Sequence, residues 1–299
     1  MSAEKSPSTG RRYGVRRTCE VLGFPRSSLY ARRDRERAEG AQEEPRRRGP
    51  APSVDDETLL AMIKKDLEES LFVGEGHRPV WARLTIEKKV RVSRKRVLRL
   101  MREHGLLSPH RAPQGEPNAH DGTIVTDAPD VMWATDGALV QTVDEGRVWV
   151  FIAVDHFNAE CVGFHVSKEG TRFAALQPLA MGLTTYRGGT SCEAGRGITV
   201  RQDHGPQYTS DTYREQVKAW GMGLSFALVG EPETNGVAER FVRTLKQQVV
   251  HGKSYAGVEA LREAVRLFVE RYNRAWRVEK LGFMTPLEAR AAAARPLAA

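Results

Sequence analysis

Cysteine is scarce in this 299-residue chain: Cys19, Cys161 and Cys192 stand far apart, with no C-x-x-C pair. That spacing excludes a disulfide framework and a thiolate zinc site, and it suits a reducing compartment. Long apolar runs are missing as well. The longest, Val148–Val154, has seven residues, against the roughly 20 that a bilayer span needs, so a membrane is not an expected partner. The opening MSAEKSPSTGRRYG has no apolar signal core, which points to the cytoplasm.

Hydrophobic residues make up 40% and charged residues 28% of the chain, enough for a sizeable core and a length suited to two domains. The charge is uneven. Residues 1–112 hold 26 basic and 16 acidic side chains, and residues 113–299 hold 20 and 22, so the net charge of +8 comes entirely from the front. A basic front joined to a near-neutral rear suggests a polyanion-binding region attached to something else.

Texture divides the chain further. Residues 1–53 are basic and partly disordered in composition. Within them Thr18–Arg33 resembles a helix-turn-helix fragment, with Gly23 and Pro25 at the turn and Ser27 or Ser28 as a cap. Gly40–Ser53 reads as a linker. Residues 54–112 form a small all-α region. Val54–Leu71 has helical spacing at Leu59, Met62, Ile63 and Leu67, and Trp81–Leu107 reads as helix, tight turn, helix, with Ser93 as N-cap and Gly105 as the stop. Arg94, Lys95, Arg96, Arg99 and Arg102 surround an apolar face of Val97, Leu100 and Met101, which suits a helix lying in or beside the DNA major groove. A solvated charged helix is the alternative. Pro109–Pro129 is proline-rich, and the linker proper is placed at 113–123.

From 124 to 290 short strands alternate with helices. Strands are expected at Val131–Val140, Arg147–Asp155, Cys161–Val166, Ile198–Gln202 and Leu224–Leu228. Helices are expected at Thr171–Gly182 and Ser210–Gly221, from Asn235 past Lys246, and at Val258–Tyr272; residues 291–299 read as a tail. This order predicts a mixed α/β (α+β) fold with a five-stranded mixed sheet. The glycine-rich insert Arg187–Gly197 reads as a mobile loop.

Three carboxylates stand out: Asp136 inside the first strand, Asp203 just past the fourth, and Glu239 on the first turns of a helix. Carboxylates at such positions are costly unless something compensates them, and a hard cation bound by oxygen is the usual compensation. At 100° per residue, Glu239, Arg243 and Lys246 fall within about 60° of one another, opposite an apolar flank of Ala238, Phe241, Val242, Leu245 and Val249. Arg243 and Lys246 are therefore candidate phosphate contacts, with a Glu239–Arg243 ion pair as the alternative. Asn235 reads as a helix cap or a DNA contact.

The blocks WATD, QDHGPQYTS, ETNGVAERFVRTLK and VERYNRAWRVEKLGFMTPLEA, with GHRPVWARL and VSRKRVLRLMREHGLL upstream, resemble the DDE transposases of bacterial insertion sequences. The likeness is to the product of their second reading frame, whose core is related to retroviral integrases. It covers Leu71–Ala289, and Thr18–Arg33 weakly. It implies an RNase H-like catalytic core and metal-dependent cleavage and joining of DNA at element ends. Asp136, Asp203 and Glu239 become the metal ligands, for two Mg²⁺ ions that Mn²⁺ replaces. Double-stranded DNA becomes the partner of a chain at least dimeric on DNA, nucleoid-associated when bound, with an upstream-frame protein as partner or fusion. Gln207 and Tyr208 become candidate contacts to a DNA end, with packing as the alternative. His204 either orients water or phosphate or makes a structural bond. Asp155, the rival ligand, His156, Trp220, Tyr272 and Trp276 are read as structural. No His/His/Cys/Cys zinc array is present. Departures lie in SFALVGEPETNG, where the family is usually serine- and glycine-rich, and in the glycine-rich insert. Two other readings stay open: a DNA-binding regulator with a silent core, and a hydrolytic nuclease of the same fold.

Overall fold

Thr18–Arg33 becomes a helix pair, α1 (Val15–Val21) and α2 (Arg26–Ala38), in the computed structural model, which describes residues 4–38, 53–108, 124–227 and 235–294. Pro25 stands just before α2, its carbonyl accepting from the Ser28 and Leu29 amides, so Ser27 and Ser28 lie inside the first turn and do not cap it. This pair belongs to one unit, Met1–Ser53, and everything after it to a second, Val54–Ala299. Most of the linker read at 40–53 and all of that at 113–123 lie outside the described residues, as do residues 295–299.

The second unit starts with three helices. Asp55 caps α3 (Asp56–Glu69) by accepting from the Thr58 amide at 2.8 Å. Helix α4 (His77–Ala82) continues as a π turn over Arg83–Glu87, and Ser93 caps α5 (Arg94–Glu103), which ends before Gly105 at φ +65°. Their apolar faces, including Leu59, Ile63, Val80, Leu84, Val97, Leu100 and Met101, close on one small core.

The sheet follows: β1 (Met132–Gln141), β2 (Arg147–Asp155), β3 (Cys161–Ser167), β4 (Thr199–Gln202) and β5 (Gly223–Phe226), in the order β3-β2-β1-β4-β5. The first three are antiparallel, and β4 and β5 join parallel to β1. This is the mixed five-stranded sheet that the sequence predicts.

Period-two alternation sorts the side chains by face. Even residues of β1 and β2, among them Ala134, Ala138, Val150 and Ile152, pack on α9 (Gly236–Leu245) and α10 (Val258–Ala275). Odd ones, Trp133, Phe151 and Ala153, pack on α6 (Arg172–Arg187) and α8 (Asp211–Ala219). Trp220 joins this second core, and Tyr272 and Trp276 join the first, as expected of anchors.

Three elements differ from expectation. Helix α6 runs past Gly182 to a left-handed cap at Gly188, because Gly182 sits against the Trp133 indole and is a packing residue, not a stop. The insert after it is docked, not loose: the Glu193 and Gly195 amides donate to the carbonyls of Ala219 and Trp220 at the end of α8. The tail read from 291 belongs to a further helix, α11 (Pro286–Ala293), started by a capping box between Thr285 and Glu288.

Helix α11 carries Arg290 into a buried knot. Its guanidinium pairs with Asp130 at 2.8 and 3.0 Å and with Glu160, lies 3.6 Å from Asp155, and covers the Tyr186 ring at 3.9 Å. Asp155 and Glu160 are fully buried. Removing one partner of such a set leaves buried charge unpaired and costs about 3–5 kcal/mol. Arg290→Met is therefore expected to lose stability on that scale in urea unfolding at pH 7, with Arg290→Lys recovering only part of it.

Candidate active site

Asp136 lies in the middle of β1, opposite Ile152, on the face that α9 covers. Ala134 stands beside Arg201 in the parallel β1–β4 pair. The same two-residue step leads from Ala134 to Asp136 and from Arg201 to Asp203. Just past Asp203 the chain turns, and its carboxylate accepts from the Gly205 amide at 2.8 Å. Gly205 has φ −57°, so the turn needs no left-handed residue. Crowding favours glycine instead: a Cβ there would stand 2.8 Å from the Gln207 side-chain amide nitrogen and 3.0 Å from Asp203 Oδ1, so the Asp203 carboxylate would have to shift.

Glu239 arrives on the first turn of α9. Ala238, Phe241, Val242 and Leu245 bury one flank of that helix, as the spacing predicts, and Glu239 stays exposed. Beyond Leu245 the helix widens into a π turn over Lys246–Val250. The start of α9 is held by Asn235, which neither caps the helix with its side chain nor faces outward. It is buried, and its amide donates to the Thr135 carbonyl at 3.2 Å, fixing the helix to the strand that carries Asp136.

The electrostatics join these groups. Burial pushes the Asp136 carboxyl up to about 6, and the negative charges of Asp203 and Glu239 push the same way. The Gly137 amide, 2.7 Å from Asp136 Oδ1, and the Lys246 ammonium oppose this. Lys246 is thus within electrostatic reach of Asp136, and Arg243 is exposed. Among the described residues, no three His, Cys, Asp or Glu side chains already close round a metal ion.

Neighbouring candidates separate cleanly. His204 bonds the Ala227 carbonyl at 2.9 Å and stacks on Phe226, the structural alternative. Gln207 is half-buried beside Gly205. Tyr208 corrects the expectation of a DNA contact. It is 1% exposed, edge-on to Tyr213 in the core behind β1, because its helix (α7, Pro206–Thr209) turns that ring inward. Asp155 is a cap at the end of β2, accepting from the Asp130 and Phe157 amides at 2.7 and 2.8 Å.

An integrase core domain family matches residues 126–232, a second integrase core domain family 207–286, and an HTH-like domain family 57–114. The transposase for insertion sequence element IS629 of Shigella sonnei is 28% identical over 287 residues, 93% of this chain and 91% of that protein. Transposase InsD for insertion element IS2A/D/F/H/I/K of Escherichia coli is 27% identical over 242 residues, 79% of each chain. Among solved structures, the HTLV-2 integrase catalytic core domain in complex with magnesium matches 55% of this chain and 98% of that one, with a TM-score of 0.42 and 14% identity. The chain is homologous to insertion-element transposases with an integrase core.

In this transposase homologue the basic helix α5 is less free than its sequence suggests. Arg96 and Arg99 both reach Asp56, at 2.5 and 2.6 Å, and Arg99 also pairs with Glu103. Arg94 lies over the Trp81 ring and pairs with Glu279 at 2.9 Å. Lys95 is exposed. Sequence reasoning missed the buried tie of Asn235 and the close approach at Gly205. The N-G step before the helix and the D-x-G step after the strand were the only signals.

Two outcomes are expected. Because the folded Asp136 carboxyl titrates above its ordinary value of 3.8, its contribution to stability is present below that value and is lost as pH rises through about 6. At pH 7.5 the metal-free protein carries a penalty of about 2–3 kcal/mol, discounted for partial exposure. Asp136→Asn should therefore raise the metal-free melting temperature at pH 7.5, and the gain should fade toward pH 4. Gly205→Ala should keep the fold by circular dichroism and cut strand cleavage at least about tenfold, the effect of sub-ångström misplacement of a ligand.

Proposed function

We propose that this protein is a DDE transposase: a metal-dependent polynucleotidyl transferase that cuts and joins DNA at the ends of an insertion sequence. The observation that carries this reading is the half-buried Asp136 on an integrase-core sheet, with Asp203 and Glu239 both close enough to act on its carboxyl. Homology to a named transposase along 93% of the chain supports it.

The three carboxylates fit a hard divalent cation. They offer oxygen alone, and a cation would offset both the burial and the neighbouring negative charges that raise Asp136. In this reading Asp136, Asp203 and Glu239 hold two Mg²⁺ ions, with Mn²⁺ as a substitute. Glu239 presents its carboxylate from the exposed edge of the first turn of α9. Bound there, such ions activate the attacking oxygen and stabilise the leaving one.

The reaction is an in-line exchange at phosphorus. A water or DNA 3′-hydroxyl oxygen forms a new P–O bond, its proton passes to solvent, and the bond to the departing strand oxygen breaks. No net energy source is needed for the joining step, because one phosphodiester replaces another. Lys246, and Arg243 a turn earlier, hold phosphate oxygens, and Gln207 lies where a DNA end enters. The 54–112 region grips duplex DNA through phosphates, with Lys95 facing outward and Arg94, Arg96 and Arg99 exchanging their present acids for phosphate. Bringing two ends together calls for at least a dimer on DNA. The proposed setting is the bacterial cytoplasm, at the nucleoid when DNA-bound, with an upstream-frame protein as partner or fusion. No helix among the described residues is long and apolar enough to cross a membrane.

Strand transfer on a duplex carrying an element end tests this. With Mg²⁺ the wild type should give joined products, and Asp136→Asn, Asp203→Asn and Glu239→Gln should each lower the rate at least about 100-fold. Wild-type rates in all three variants place the chemistry elsewhere. Nicked products that are never joined identify a hydrolytic nuclease, and tight binding without any cut identifies a regulator.

A further inference from the structure

The face that gathers repelling acids also gathers bases. Arg201 belongs to it by register with Ala134, two residues before Asp203 in the chain. Its guanidinium is nearly buried, at 8% exposure, and donates to Ser225 Oγ at 2.7 Å from the paired position on β5. His156, just past β2, is 7% exposed, and neither ring nitrogen, both buried, has a hydrogen-bond partner. Lys280 donates to the His156 carbonyl at 2.7 Å. Arg240, one residue along α9 from Glu239, is exposed and acts on Lys280.

Three of these groups are cations, and the fourth, His156, is a neutral imidazole. Burial, then Lys280 and Arg201, disfavour a proton on His156; partial desolvation of the Lys280 ammonium where it reaches inward to the His156 carbonyl, then Arg240, disfavours the one on Lys280. Asp155 is the acid that acts on Lys280, and it is already engaged by Arg290 and by the Asp130 and Phe157 amides. Arg201 and His156 are nearly buried, and Lys280, whose ammonium reaches the His156 carbonyl, and Arg240 lie at the exposed surface. The His156 imidazole, buried without a hydrogen-bond partner, holds a donor that nothing meets, and an unmet buried donor is costly.

We propose that Arg201, His156, Lys280 and Arg240 form a subsite for one backbone phosphate of the DNA strand, next to the phosphate undergoing reaction. The ligand class follows from the donors: two guanidiniums, an ammonium and a neutral imidazole N–H suit a phosphodiester's two non-bridging oxygens. The spacing follows from the strand. Arg201 and Asp203 are two residues apart, about 6.6 Å along β4, which is the scale of one nucleotide step. The subsite fixes the register of the strand, so that the neighbouring phosphate is presented to the carboxylates. The proposal rests on the DNA-acting reading above.

The test uses the full chain and an element-end duplex carrying one methylphosphonate, a neutral phosphate analogue, at each position in turn around the scissile bond. Binding and Mg²⁺-dependent cleavage are measured for the wild type and for Arg240→Gln/Lys280→Gln, both surface changes. The wild type should lose about tenfold or more in cleavage at one position adjacent to the scissile phosphate. The double variant should be about tenfold weaker on unmodified DNA and insensitive at that position. Its slope of log affinity against log salt should fall by roughly 0.7–0.9 for each phosphate no longer neutralised. Arg172→Gln/Arg187→Gln, a charge-matched change at the two ends of α6, should keep the wild-type profile. A double variant with the wild-type methylphosphonate profile overturns the subsite, as does an equal effect from the α6 control. A wild type that never cuts, yet keeps its sensitive position, overturns the enzymatic reading and leaves the subsite standing.

Discussion

Burying Asp136 in the strand that joins the antiparallel and parallel halves of the sheet is the constraint on which the rest of the site depends. That strand has fixed neighbours on both sides, so Asp136 cannot turn toward water without breaking register, and a one-residue slip would carry every core side chain of β1 to the wrong face. The other two acids are brought to it by separate devices. A parallel pairing delivers Asp203, and Gly205 leaves room for its carboxylate to accept a backbone N–H. The buried amide of Asn235 seats the first turn of α9, and with it Glu239, on the strand.

A second buried aspartate in the same sheet shows that this arrangement is not general. Asp155, at the end of β2, is more deeply buried than Asp136. It receives backbone amides from Asp130 and Phe157 and lies near the guanidinium of Arg290. Asp136 receives one amide, from Gly137, and two negative neighbours. One carboxylate is satisfied by the fold alone and the other is not. The proposed cation-binding role would account for that difference, since a group compensated from outside needs no internal partner.

Sequence alone located all five strands and the helix carrying Glu239, because alternation and helical spacing are local properties of the chain. The three carboxylates stood out for the same reason: each interrupts or ends an apolar element. What was not legible depends on what lies across the core. Gly182 reads as a stop until the Trp133 indole is seen against it. Tyr208 sits in a block full of polar residues, and only its packing against Tyr213 shows that it faces inward. Arg290 looks like a surface residue near a chain end, yet the acids that need it lie 130 and 160 residues earlier in sequence. The Thr285–Pro286 and Glu288 spacing of a capping box was readable, and it marks α11.

The basic helix α5 raises a question of exchange more than of attraction. Its arginines already hold carboxylates, so DNA phosphates gain only the difference between two ion pairs. That difference is favourable where the present pairs are weak. Arg94 and Glu279 are both about half exposed, and such pairs contribute about 0–1 kcal/mol. Phosphate binding also releases counterions from the duplex, a gain that the internal pairs cannot match. Arg94 is therefore cheaply surrendered to DNA. Its partner Glu279 directly precedes Lys280 in one short turn, and Arg78 of α4 holds the same carboxylate. A duplex that draws Arg94 and Arg78 away from Glu279 thus acts on the segment whose next residue reaches the His156 carbonyl. Glu279, which holds Arg78 and Arg94, and Lys280, which reaches the His156 carbonyl, are consecutive residues, so the proposed DNA grip and the proposed phosphate subsite meet in one short turn.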